Sequence, residues 1–190
     1  MRAFIAIEIS EEIKGAIALI EDHLKYAGAD VKWVKPEIVH LTLKFLGEIT
    51  DEKRSEIESA LDEIAQSARS FELTVKEIGA FPAIEHPRVI WVGLDRGSSE
   101  ASDFAKYIES LLSKLGFAKE ERAFSPHLTI GRVRSSHNKD KLKEKISSAS
   151  SKAQLSSINP HKVTSLILFQ STLTPQGPVY TKLHEAYLKG

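Results

Sequence analysis

His40-Leu41-Thr42-Leu43-Lys44-Phe45-Leu46-Gly47 is echoed 87 positions later by His127-Leu128-Thr129-Ile130-Gly131-Arg132-Val133. The first four residues of each copy alternate polar and apolar, the period of a strand with one buried face. Leu41 and Leu43 are expected to enter the core, leaving His40 and Thr42 on the opposite face. Leu128, Ile130, His127 and Thr129 repeat that division. The same offset carries Phe4-Ile5-Ala6-Ile7 onto Trp91-Val92-Gly93-Leu94, and the helical pattern 51–68 onto 138–155. One spacing that aligns three elements implies an internal β-α-β-α-β duplication. The expected architecture is α+β: a pseudo-symmetric bilobal fold of two antiparallel-type sheets with flanking helices around a central cleft. Its repeat halves cover about 1–85 and 86–190 of one domain spanning 1–190.

Between these anchors the periodicity switches repeatedly. Residues 2–9 read as a buried strand, after which Ser10 can cap a helix with Ile13, Ala16, Ile17, Ile20 and Leu24 on one stripe. Residues 39–46 read as a strand, and Thr50 and Asp51 open a helix carrying Ile57, Leu61, Ile64 and Ala68. A strand over 71–78 and a loop over 81–87 close the first half. The second half offers strands over 88–94, 126–133, 163–170 and 179–188. Its helices comprise the Phe104, Ile108, Leu111, Leu112, Leu115 stripe closed by Gly116, and a Lys- and Ser-rich stretch over 139–153. No glycine-rich phosphate loop follows any strand, so a nucleotide-binding doubly wound sheet lacks its fingerprint.

Charge and composition narrow the function. Lys plus Arg and Asp plus Glu both number 26, giving a formal net charge of zero. Proteins that coat long nucleic acids carry a basic excess, so any such partner should be met in a local pocket. The absence of cysteine removes disulfides, thiolate catalysis and Cys-based zinc sites. No apolar run reaches the ~18 residues of a membrane span, so no membrane role is expected. The N-terminal apolar stretch is short and holds Glu8, which reads as a strand rather than a signal peptide. The expected location is cytoplasmic.

Two imidazoles on matching strands suit in-line displacement at phosphorus. One takes a proton from attacking water; the other returns one to the departing oxygen. Two threonine hydroxyls can donate to the equatorial phosphoryl oxygens, whose charge grows in the transition state. A single His-x-Thr strand would more often be structural; two in register are the signal. Metal is not expected, because zinc wants three or four His, Cys or carboxylate ligands and no carboxylate recurs beside either histidine. Of the other histidines, His23 is assigned to an exposed helix face, His137 to a polar loop and His86 to a position before proline. His161 and His184 are within possible reach of the cleft. Strict alternation sends Arg132 away from His127, unless Gly131 marks a bulge that re-aims it as a bidentate phosphate ligand. Alternation places Lys44 beside His40 and Thr42, either adding positive potential or simply solvated.

These segments resemble the two-histidine phosphoesterase superfamily, and within it the archaeal and bacterial RNA 2',3'-cyclic phosphodiesterases, also called 2'-5' RNA ligases. Residues 1–7, His40-Leu41-Thr42-Leu43-Lys44-Phe45-Leu46-Gly47-Glu48, Arg88-Val89-Ile90-Trp91, Phe124-Ser125-Pro126-His127-Leu128-Thr129-Ile130-Gly131-Arg132 and 171–180 carry the likeness. The resemblance implies a single catalytic domain that hydrolyses RNA 2',3'-cyclic phosphate ends to 2'-phosphomonoesters. It implies His40 as proton donor, His127 as proton acceptor, and Thr42, Thr129 and Arg132 as phosphate ligands. No cofactor is implied, and 2'-5' joining is the reverse reaction. Expected partners are RNA ends bearing the cyclic phosphate, tRNA fragments among them, met by a monomer. Alternatives are a small cyclic phosphate such as cyclic ADP-ribose phosphate, or a non-catalytic nucleotide- or RNA-binding module. Residues 171–180 are read either as a cleft border or as a plain turn, and Phe124 as core packing or a base-stacking platform.

Overall fold

Hydroxyl side chains turn the chain from strand to helix twice in the first half. Strand β1 (Arg2–Glu8) gives way at Ser10, whose Oγ accepts from the Ile13 amide at 3.3 Å and opens helix α1 (Glu11–Lys25). After strand β3 (His40–Glu48), Thr50 accepts from the Lys53 amide at 3.3 Å and opens α2 (Asp51–Ser67). Such caps satisfy amides that a first helical turn leaves without partners. Helix α3 (Ser98–Lys114) is followed by Gly116 at φ +88°, a left-handed backbone that costs glycine nothing. Helix α4 spans Lys139–Lys152. The computed structural model describes residues 1–152 and 154–190, so Ala153, the expected last residue of that helix, lies outside the described residues.

The remaining strands are β2 (Val31–Trp33), β4 (Phe71–Leu73), β5 (Val75–Phe81), β6 (Val89–Leu94), β7 (His127–Val133), β8 (His161–Val163), β9 (Ser165–Thr174) and β10 (Gly177–Tyr187). They form four-stranded sheets in the orders β10-β9-β1-β3 and β2-β7-β6-β5, plus the pair β4-β8, with antiparallel neighbours throughout. The α+β expectation of two antiparallel sheets with flanking helices holds. Each sheet, however, draws on both repeats. Strands β2 and β5 of the first half sit in the second sheet, while β9 and β10 of the second half complete the first. The three-residue β2 was not foreseen, since it is too short to display a period.

Two expected strands are interrupted at equivalent threonines. The Thr74 carbonyl accepts from the Asp95 amide at 2.9 Å, and its own amide donates to the Arg96 carbonyl. The Thr164 carbonyl accepts from the Leu188 amide at 2.9 Å. These bonds divert the chain, and the three residues before each break pair with one another as β4 and β8.

The core is continuous between the sheets. Ile5, Ile7, Leu41 and Leu43 from the first sheet join Ile90, Val92, Leu128 and Ile130 from the second, under Ile17, Leu61, Ile108 and Ile146 of the four helices. Each fully buried Ile or Leu contributes roughly 1.5–3 kcal/mol by leaving water, so together these side chains hold the motif strands in place from behind. Among the described residues, no helix is long and apolar enough to cross a membrane.

The offset of 87 needs one correction. Ala6 pairs with Thr42 and Trp91 with Thr129, so the structural counterpart of Ala6 is Trp91, 85 positions on. Phe4 therefore corresponds to Val89, not Trp91. A two-residue slip preserves the facing of every strand residue, which is why the alternation pattern could not reveal it.

Candidate active site

Matching bulges aim the two motifs. In β3 the extra residue is Leu43, since Ile5 pairs with Lys44 and Ala6 with Thr42. In β7 it is Ile130, between the pairs Ile90 with Gly131 and Trp91 with Thr129. A bulge lets two successive residues face one way: Leu43 and Lys44 are both buried, as are Ile130 and Gly131. Phe45 and Arg132 follow on the outside, Phe45 at 59% exposure with its ring centroid 6.1 Å from that of Phe4. The bulge read into Gly131 is present. The same bulge in β3 overturns the placement of Lys44 beside His40. Lys44 is 4% exposed and points to the core side, where its Nζ donates to Glu109 Oε2 at 2.7 Å and to the Ala118 carbonyl at 3.0 Å.

Each histidine opens its strand and is held in the same way. His40 Nδ1 donates to the Ile38 carbonyl at 2.8 Å, and His127 Nδ1 to the Ser125 carbonyl at 2.7 Å. A carbonyl only accepts, so Nδ1 carries the proton in both rings and Nε2 is the atom left to exchange one. Among the described residues, neither Nε2 has a hydrogen-bond partner, and neither do the hydroxyls of half-buried Thr42 and Thr129. Strands β3 and β7 approach one another with Cα atoms within 8 Å.

The surroundings of the two rings differ. His40 stacks on Phe4 at 4.7 Å and meets Tyr180 edge-on at 5.2 Å, with Glu8 as its cross-strand neighbour. His127 meets Phe81 edge-on at 5.0 Å, and Phe81 in turn packs on Trp91. Burial pushes both imidazoles below their usual range. For His40 the Ile38 carbonyl and the Glu8 carboxylate oppose that push. For His127 the Ser125 carbonyl opposes it, while the Arg132 guanidinium adds to it. Arg132 also acts on Tyr180, whose hydroxyl burial raises and whose neighbours Arg132 and Arg2 pull back. Exposed Arg132 thus lies within electrostatic reach of both walls, and its side chain has no ion pair or hydrogen bond among the described residues.

The other expectations fall out individually. Residues 171–180 form the β9–β10 turn, closed by Thr174 Oγ1 donating to the Gly177 carbonyl at 2.7 Å, and also border the site through Tyr180. Phe124 packs against the core. His23 is half-buried with Nε2 unpartnered, not on an exposed face. His161 Nε2 donates to the Glu8 carbonyl at 2.9 Å, and His184 pairs with Asp62 of α2 at 2.8 Å. His86 and His137 are exposed. Among the described residues, no three His, Asp or Glu side chains gather as a metal site. Phe4, Glu8 and Phe81 were not singled out beforehand. Phe4 and Glu8 could have been, since they alternate with core residues Ile5 and Ile7.

Comparisons with known proteins agree with this arrangement. The LigT like phosphoesterase family matches residues 7–91 and again 92–180, two successive copies in one chain. The RNA 2',3'-cyclic phosphodiesterase of Methanothermobacter thermautotrophicus is 36% identical over 183 residues, covering 96% of both chains. That of Methanocaldococcus jannaschii is 40% identical over 185 residues, 97% of this chain and 99% of that one. The crystal structure of TT0787 from Thermus thermophilus superposes with a TM-score of 0.79 at 24% identity, over 100% of this chain and 99% of that one. Duplicated histidine strands, shared bulges and full-length similarity have one reading: this chain belongs to the LigT-like phosphoesterase family.

Proposed function

We propose that the chain hydrolyses 2',3'-cyclic phosphate ends of RNA to 2'-phosphomonoesters, with His40 as proton donor and His127 as proton acceptor. Water attacks phosphorus as His127 Nε2 takes its proton. The P–O3' bond breaks on the far side, and the 3'-oxygen receives the proton of His40 Nε2. Thr42 and Thr129 hydroxyls and the Arg132 guanidinium hold the non-bridging oxygens as their charge grows. Proton exchange with solvent resets the pair, and a 5'-hydroxyl attacking the cyclic phosphate in place of water, with the same cleavage of P–O3', joins the two ends through a 2'-5' linkage.

One observation carries the assignment. Both rings expose Nε2 with Nδ1 tied to a carbonyl, but an anion, Glu8, neighbours His40 and a cation, Arg132, neighbours His127. The anion favours retention of a proton at His40, and the cation favours its loss at His127. Equivalent strands thereby acquire opposite roles. The absence of cysteine and a balanced charge accord with a cytoplasmic monomer acting on short RNA ends, tRNA fragments among them.

Phosphorus NMR of a cyclic-phosphate-ended oligonucleotide, in excess chelator, tests the reading. A new 2'-monoester resonance is expected. A 3'-monoester product, or turnover that stops with chelator and returns with zinc, would overturn the mechanism.

A further inference from the structure

The approach to His40 and the approach to His127 are built differently. Residues 31–33 precede His40 as β2, and Trp33 pairs with Gly131 just beyond the bulge in β7. The Val34 amide donates to the Ile130 carbonyl at 2.9 Å. Gly131 leaves room for this: a Cβ there would meet Val31 Cγ1 at 2.9 Å and the Trp33 ring at 3.1 Å. The equivalent tripeptide before His127 is Ala118-Lys119-Glu120, and the residue equivalent to Gly131 is Lys44. No strand forms there, and residues 118–126 have no backbone–backbone hydrogen bond among the described residues. Instead Lys44 Nζ donates to the Ala118 carbonyl and to Glu109 Oε2, while Glu109 Oε1 accepts from the Glu120 amide at 2.7 Å. Phe117 and Phe124 pack into the core on either side of this clamp. Ser125, next in the chain, supplies the carbonyl that orients His127.

We infer that Lys44 and Glu109 are positioning residues for His127, a side-chain clamp that replaces the missing strand and holds the segment delivering the Ser125 carbonyl. The inference rests on the role proposed for His127. The helix position of Glu109 supports it. Buried Ile13, Ile17, Ile20 and Leu24 of α1 match Ala101, Ala105, Ile108 and Leu112 of α3 at a spacing of 88, which sets Glu21 opposite Glu109. Both repeats thus carry the carboxylate, but the lysine, supplied by β3 of the first repeat, faces only the approach that lacks the strand.

Lys44→Met removes the charge at similar length. On a cyclic-phosphate-ended oligonucleotide its kcat should fall about ten- to hundredfold with KM nearly unchanged, as expected for a small misplacement of one catalytic ring. Exchange of the Glu120 amide, which Glu109 holds, should accelerate in the ligand-free protein. Loosening the Ser125 carbonyl removes support for the His127 imidazolium, leaving burial and Arg132 to depress it. The acid limb of the kcat/KM profile should then move to lower pH while the alkaline limb stays. Lys44→Arg should retain most of kcat. If Lys44→Met does not fold, Glu109→Asp, which shortens the clamp, should show the same changes more weakly. Wild-type kcat, or a lowered kcat with both pH limbs unmoved, would overturn the inference. A wild-type protein without turnover would instead remove the phosphodiesterase reading, while unchanged exchange at the Glu120 amide would remove the clamp by itself.

Discussion

His40 and His127 begin strands with the same alternation, the same bulge and the same Nδ1 bond to a carbonyl two residues upstream. They part company immediately after the bulge, where one copy reads Lys44-Phe45 and the other Gly131-Arg132. The first copy thereby lines its wall with Phe45, Phe4 and Tyr180, and the second presents a cation. Duplication kept what phosphorus chemistry needs on both flanks, an imidazole and a hydroxyl. It relaxed what only one flank needs. In the proposed mechanism two like sites become an acid and a base through neighbours rather than through the histidines themselves.

The largest effect should come from the shared element. His40→Ala and His127→Ala are each expected to lower kcat/KM by about 10²–10⁴-fold, with the double variant little worse than either. Steady-state kinetics checks this, and a unilateral loss would break the symmetry of the pair. Next come the neighbours that differentiate it. Arg132→Gln should cost about 10–100-fold through the lost charged hydrogen bonds. Relieved of a cation, His127 should also hold its proton to higher pH, moving the acid limb of kcat/KM upward. Glu8→Gln should cost only a few-fold, because Glu8 is half-exposed and already paired with Lys182 at 2.6 Å. It should move the alkaline limb downward, as His40 loses its anion. Limbs that move the other way would reverse the assignment of donor and acceptor. In the wild type, where both rings lie below their usual range, the kcat/KM optimum should fall below pH 6.5.

The smallest effect concerns the two helix carboxylates. Glu109 has Lys44, whereas Glu21 is 1% exposed, has an unpartnered Oε1, and among the described residues forms an ion pair with Lys25 alone, at 3.6 Å. Burial, partly offset by Lys25, pushes Glu21 up from 4.5 to about 7. Between those values the folded protein holds a proton that the unfolded chain has released, so stability falls as pH rises through that window. Glu21→Gln should therefore raise stability by about 1–3 kcal/mol at pH 8 and by nearly nothing below pH 4.5. Denaturant melts at both pH values test it, and a pH-independent gain would show that ionisation is not the cause.

The amino-acid order alone sufficed for the duplication, the helix caps at Ser10 and Thr50, and the inward leucines behind two outward His-Thr pairs. Those features depend on periods of two and 3.6 residues and on caps a few positions away, all written locally in the chain. Only the tertiary structure decided that Lys44 turns inward while Arg132 turns outward, that β5, β9 and β10 cross to the other repeat's sheet, and that Phe4 and Tyr180 wall His40. A bulge depends on the partner strand, and a neighbour's charge on residues tens of positions distant. Packing brings those groups together, and it is there that two copies of one motif acquire different surroundings.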